Sequence, residues 1–306
     1  MTFIIGLLAG TFIAIQSAVN ARLRQHLGFA FLTSFVSFLV GLIFLLILSL
    51  ILGSPLIFNS ETLFAVPLWA WTGGLLGMFG LTANVLIFPK LGGVQTAIMP
   101  ILGQVLMGVL IDTFGLLKSL QIAISTIRLI GIGLVLLGVF VAIVLPQLKA
   151  LKQKTNNENL WLWRGLGIVG GMALATQAAV NGELGRQLGS SLSAATTSFL
   201  VGTITLFLTV LFYEKSLPNL FKPAKAKPIW IWSGGILGSL FILSGVWLVS
   251  QIGTGSVVML VLSGLICGSL LVDKFGLFGV AKKPVLSSHL IGVALLILGV
   301  ACIRLI

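Results

Sequence analysis

The stretch WAWTGGLLG, from Trp69 to Gly77, returns 161 residues later as WIWSGGILG, from Trp230 to Gly238. The same shift aligns the rest of the chain without a gap. Gln16-SAV-Asn20 becomes Gln177-AAV-Asn181, and Leu27-Gly28 becomes Leu188-Gly189. SFLVG at Ser37–Gly41 is unchanged at Ser198–Gly202. Asp112-T-Phe114-Gly115 becomes Asp273-K-Phe275-Gly276. Chance does not hold one register over about 145 positions, so the chain is a tandem duplication.

The composition says where such a repeat resides. Hydrophobic residues fill 58% of 306 positions and charged residues 8%, against about a quarter charged in a soluble domain. Lipid must cover this apolar surface. The apolar runs give ten expected spans: roughly 2–21, 29–52, 67–88, 93–113 and 126–145, then 163–182, 190–212, 229–249, 254–273 and 287–305. The expected fold class is an all-α polytopic membrane protein with two five-helix repeats, 1–145 and 163–306. A polar linker, PQLKALKQKTNNENLWL at 146–162, joins them. The first span has no basic leader or small-residue cleavage site and recurs in the second repeat, so it is expected to be a retained helix.

Five spans per repeat is an odd number, so the second copy must enter the membrane inverted. Loop charge agrees. Placing both termini outside puts 14 of the 18 Lys and Arg residues on the cytoplasmic side, as the positive-inside rule demands. This explains the net charge of +12 without a nucleic-acid partner. Inverted repeats about an axis in the membrane plane are a recurrent transporter architecture, because two similar halves have two similar packings, each open to one side. Gly6-x3-Gly10, Gly167-x3-Gly171, Gly73-x3-Gly77 and Gly234-x3-Gly238 let helices approach closely.

Polar residues at membrane depth are the candidate site. Gln16 and Asn20 share one helix face, as do Gln177 and Asn181. Converging at the pseudo-twofold, they would offer donors and acceptors to a polar substrate; the alternative is interhelical bonding that pins the halves. Gln104 is matched by Leu265 and Asn84 by Gly245, which suits either an asymmetric substrate or local packing. Asp112 and Asp273 are candidates for coupling or gating, with pairing to an interfacial base or a backbone cap as the competing role. Trp69, Trp71, Trp230 and Trp232 read as interfacial anchors. His26 and His289 read as structural, and Cys267 and Cys302 as packing residues. No cofactor or metal is expected: the sequence holds no CxxC, HExxH or GxxxxGK[ST], and its 6 acids and 2 histidines leave little for catalysis.

The pattern G-x3-G, Q-x3-N, LG, SFLVG, W-x-W-x-GG-x2-G, GQ and D-x-FG resembles the YdcZ-like branch of the drug/metabolite transporter superfamily, in its fused two-repeat form. The resemblance implies a bacterial-type plasma (inner) membrane location and a secondary transporter, with export favoured, acting on a small organic solute. It also implies a central cavity lined by spans one, three, four, six, eight and nine, with spans five and ten peripheral. A homodimer is a candidate assembly. Small multidrug exporters of that superfamily use a carboxylate in the middle of their first helix. Here Gln16 stands in that helix and cannot titrate, so a simple copy of that mechanism is not expected. The alternatives are a scaffold or channel and, more remotely, a membrane enzyme.

Overall fold

The computed structural model describes residues 1–56, 58, 60–119, 121–141, 145, 160–221, 228–279, 282 and 287–304; the side chains of Asp273 and His289 and most of the linker lie outside the described residues. All regular structure among them is helical, as a bilayer requires when backbone polar groups must be satisfied within each segment. The long helices are α1 (Thr2–Leu27), α2 (Ala30–Leu52), α3 (Gly73–Phe114), α4 (Thr126–Val139), α5 (Trp161–Gln187), α6 (Ser191–Leu208), α7 (Gly234–Ile252), α8 (Thr254–Phe275) and α9 (Ser287–Arg304). The tryptophan motifs form short 3-10 turns, Leu68–Thr72 and Ile229–Trp232, ahead of α3 and α7. Gly28 and Gly189 follow α1 and α5 in the left-handed conformation, at φ 81° and 63°, which glycine adopts without steric cost.

Among the described residues, five stretches are long and apolar enough to cross a membrane: Thr2–Leu27, Ala30–Leu52, Leu68–Ile87, Ser191–Glu214 and Gly234–Ile252. Met99–Phe114, Thr126–Gly138 and Ser256–Val272 are shorter apolar helices. The third and fourth expected spans fall within one helical element, the 42-residue α3. Straight, it would reach about 63 Å, twice the thickness of a hydrocarbon core. It is not straight. A Cβ on Gly167 would lie 2.7 Å from Met99 Cβ and 3.1 Å from Ile87 Cδ1, whereas twelve residues of straight helix separate atoms by about 18 Å. The chain therefore turns back between Ile87 and Met99. In the second repeat the same place is marked by Gly253, at φ 76° between α7 and α8.

The repeats run in opposite directions. Val249 clusters with Ile5 and Ala9 near the start of α1 and also faces Gly182 near the end of α5. At the other end Arg24, late in α1, donates to the Val85 carbonyl, while Gly167, early in α5, lies against Ile87. The start of α1 is level with the end of α5. Phe38 and its repeat equivalent Phe199 stack on each other at 4.9 Å between centroids, which puts the pseudo-twofold between α2 and α6. To one side, α4 and α9 pack chiefly on each other, Gly299 against the Gly131 carbonyl. Ile43, Ile47 and Leu50 of α2 and Leu200, Ile204 and Leu208 of α6 are exposed, an apolar surface suited to lipid.

Candidate functional site

Each repeat presents its polar motif to the glycine motif of the other. Asn20 and Gln16 on α1 face Gly234 and Gly238 on α7. Asn181 and Gln177 on α5 face Gly73 and Gly77 on α3. A Cβ at any of the four positions would overlap the facing amide, which would then have to move. The second glycine of each Gly-Gly step, Gly235 or Gly74, sits on backbone. A Cβ on Gly235 would lie 2.6 Å from the Gly41 nitrogen, and one on Gly74 the same distance from the Gly202 nitrogen. The repeated sequence blocks are thus the two halves of one interlock, made twice.

Within this interlock the amides divide into two kinds. Asn20 Nδ2 donates to Ser37 Oγ at 3.3 Å, and Asn181 Nδ2 to Ser198 Oγ at 3.1 Å. Both asparagines are buried, and their Oδ1 atoms are sealed and without a hydrogen bond. An unpaired buried carbonyl costs free energy, so these side chains are held by steric fit and one hydroxyl each. Gln16 and Gln177 are also buried, and among the described residues neither amide makes a hydrogen bond. Gln104, buried on α3, shares this state. Asn84, half-buried, has a sealed and unbonded Oδ1. No hydrogen bond joins one amide pair to the other among the described residues.

The acids lie at the helix ends. Asp112 is fully buried and bonded by Arg128 at 3.1 Å; Arg128 also donates to the Ile122 carbonyl at 2.6 Å. Asp273 has its backbone in α8, but its side chain is outside the described residues. Two buried or part-buried carboxylates carry more of the structure than the sequence indicated. Glu214 accepts from the backbone nitrogens of Phe31 (3.0 Å) and Leu32 (2.9 Å), so it caps α2, which has no side-chain cap of its own. Glu183, on the last turns of α5, pairs with Lys118 at 3.6 Å and with Arg186. The i,i+3 spacing of Glu183 and Arg186 was a usable signal for that pair. Nothing in the sequence signalled Glu214, because its partners are backbone groups of a distant helix. His26 packs edge-on against Trp232, and Trp230 against Phe278. Among the described residues, no group of three or more His, Cys, Asp or Glu side chains could hold a metal.

A family model described as "Putative inner membrane exporter, YdcZ" matches the chain twice, over residues 1–141 and 162–302. A solved structure titled only as a crystal structure of a protein superposes with a TM-score of 0.64 at 15% identity, covering 98% of this chain and 96% of the other. At that identity the likeness concerns the fold. No curated relative matches the chain. With its family model satisfied once per repeat and its apolar helices in place, this chain belongs to the YdcZ family of inner membrane exporters in the drug/metabolite transporter superfamily.

Proposed function

We propose that the chain is a secondary transporter that exports a small organic solute by alternating access, with ten spans and both termini outside. Its two repeats would exchange conformations, so that a site at their interface faces each side in turn. The reading is carried by one observation: Gln16 and Gln177 are buried amides, each set on a glycine of the opposite repeat, with no hydrogen bond among the described residues. Buried polar groups that lack protein partners have capacity for a ligand or water. Gln104 adds the same capacity in the first repeat only, which would give the site a direction. Asn20 and Asn181, each already donating to a serine, would position the glutamine-bearing faces and would join the substrate-binding surface only in a conformation that unseals their oxygens. Asn84 would lie at the margin of the site. Asp112, tied to Arg128, and Asp273 would act in gating or coupling at the ends of the fourth and ninth spans. A homodimer in the bilayer is the proposed assembly.

The test is a proteoliposome flux screen across metabolite classes, comparing wild type with the Gln16→Ala/Gln177→Ala double variant. Loss of flux with unchanged folding is expected. Flux that survives the double substitution would remove the glutamines from the site.

A further inference from the structure

The two ends of the repeat interface are closed by different chemistry. At one end the turn after α3 meets the end of α5; at the other the turn after α8 meets the end of α1. In both, an arginine near the helix end donates to a carbonyl of the turn, though from non-equivalent positions: Arg186 matches Gln25, and Arg22 matches Glu183. Arg186 Nη2 donates to the Lys118 carbonyl at 2.5 Å, and Arg22 Nε donates to the Phe278 carbonyl at 3.4 Å. Leu117 and Phe278, which are repeat equivalents, both have φ 55°. The next residue is also left-handed in both turns: Lys118 at φ 56° and Gly279 at φ 74°. Glycine takes that conformation freely, whereas any other residue is strained in it by about 1–2 kcal/mol. The first repeat therefore accepts a strained lysine where the second has an unstrained glycine.

What the lysine gains is a carboxylate. Glu183 is only 2% exposed and sits near the C-terminus of α5, where the helix dipole disfavours negative charge. Lys118 Nζ approaches it at 3.6 Å, Arg186 pairs with it, and Gln187 Nε2 donates to it at 2.7 Å. The repeat equivalent of Glu183 is Arg22, whose guanidinium lies over Gly279 and reaches Gln25 at 2.9 Å. One end thus holds a buried acid between two bases, and the other an arginine with neutral partners. Glu183 also borders a cavity of about 50 Å³ lined by Lys118, Ser119, Arg186 and Ser250. Any movement that opens this end must part Lys118, in the first repeat, from Glu183 and Arg186, in the second.

We propose that Lys118, Glu183 and Arg186 form an ionic lock that holds this end of the repeat interface shut, and that the Lys118 backbone is strained to make it. The inference goes beyond the transport reading and borrows from it only that the two ends open. The test places a cysteine at Ser250, beside the cavity, in a Cys267→Ser/Cys302→Ser background. Reaction with a membrane-impermeant maleimide is timed from each side of proteoliposomes. Glu183→Gln and Lys118→Gly should each speed labelling by about tenfold, equivalent to about 1.4 kcal/mol of closed-state preference. The exchange Glu183→Lys/Lys118→Glu should bring the rate back towards that of the parent. Lys118→Gly copies the other turn and relieves strain, so it remains decisive if Glu183→Gln fails to fold. Unchanged labelling in Lys118→Gly overturns the lock, and the transport reading stands if flux is found. Faster labelling in a chain that moves no solute supports the lock and sinks the transport reading instead.

Discussion

Replacing Gly235 by alanine tests the interlock at its least forgiving point. Gly235 lies in the first turn of α7, and its new Cβ would come within 2.6 Å of the Gly41 nitrogen and closer still to the Ser37 carbonyl. Both are backbone atoms of α2, so no side-chain rotation relieves the contact. Ordinary van der Waals separation is about 3.5 Å or more; α2 and α7 would have to part by more than about 1 Å, the Ser37 carbonyl setting the distance. Overpacking of this kind costs about 1–3 kcal/mol. Alanine also stabilises a helix interior by up to about 1 kcal/mol over glycine, which would mask part of the loss. Gly245 supplies the control: it is in the same helix, and a Cβ there meets nothing within 4 Å. Comparing Gly235→Ala with Gly245→Ala largely cancels the propensity gain and leaves the clash. Equilibrium unfolding in mixed micelles should place Gly245→Ala at or above wild type and Gly235→Ala about 1–3 kcal/mol below Gly245→Ala. Gly74→Ala, facing the Gly202 nitrogen, should reproduce the loss. Equal stability of the Gly235 and Gly245 variants would mean that α2 and α7 are not in backbone contact, and the interlock would fall with it.

Three further outcomes are expected. Arg128→Ala removes the base from the buried Asp112 carboxylate, a change that costs about 3–5 kcal/mol in comparable buried pairs; the same unfolding assay should show this loss, and a neutral effect would contradict the buried pairing. Glu214→Gln keeps the shape but removes the charge that caps α2 through Phe31 and Leu32; a loss of about 1 kcal/mol is expected, visible as faster amide exchange at those two residues. A reporter active only in the cytoplasm, fused after Ile306, should stay silent, since both termini are proposed to lie outside; an active fusion reverses the orientation.

Much of the fold was legible because duplication writes each contact twice. The 161-residue shift aligned Gln16-SAV-Asn20 with Gln177-AAV-Asn181 and Gly73-Gly74 with Gly234-Gly235. It could not say that the polar motif of one copy packs on the glycine motif of the other, because a repeat carries no information on whether its motifs pair within or between copies. The turn between Ile87 and Met99 was expected as a loop around Lys90, yet helical structure runs through it. The site was less legible than the fold. Asn20 and Gln16 read alike as amides on one face, but only Asn20 lies where its nitrogen meets Ser37. That distinction depends on where α2 lies, which periodicity does not specify. Asp112 was singled out with a basic partner as its competing role, and Arg128 is that partner. Glu183 was visible only as a charge beside Arg186, because its burial follows from the turn at Lys118 in the other repeat.

Where the two copies agree and where they differ has a physical logic. Around the pseudo-twofold, Phe38 meets Phe199, Gly41 meets Gly235, and Gly202 meets Gly74. These contacts survive exchange of the halves, so they contribute equally to either packing and set no preference between them. The differences lie away from that axis. Glu183 and Lys118 stand where Arg22 and Gly279 stand in the other copy. Glu214 caps α2, while Ser190 caps α6 and Ser54 bonds to Ser190 and Ser193. Gln104 faces a counterpart that is Leu265. Only such unequal contacts can favour one packing over the other, and about 1.4 kcal/mol of difference is enough for a tenfold bias. A symmetric centre with asymmetric ends is therefore the arrangement in which substitutions at the ends should shift the balance between states, and substitutions at the centre should change stability while leaving that balance alone.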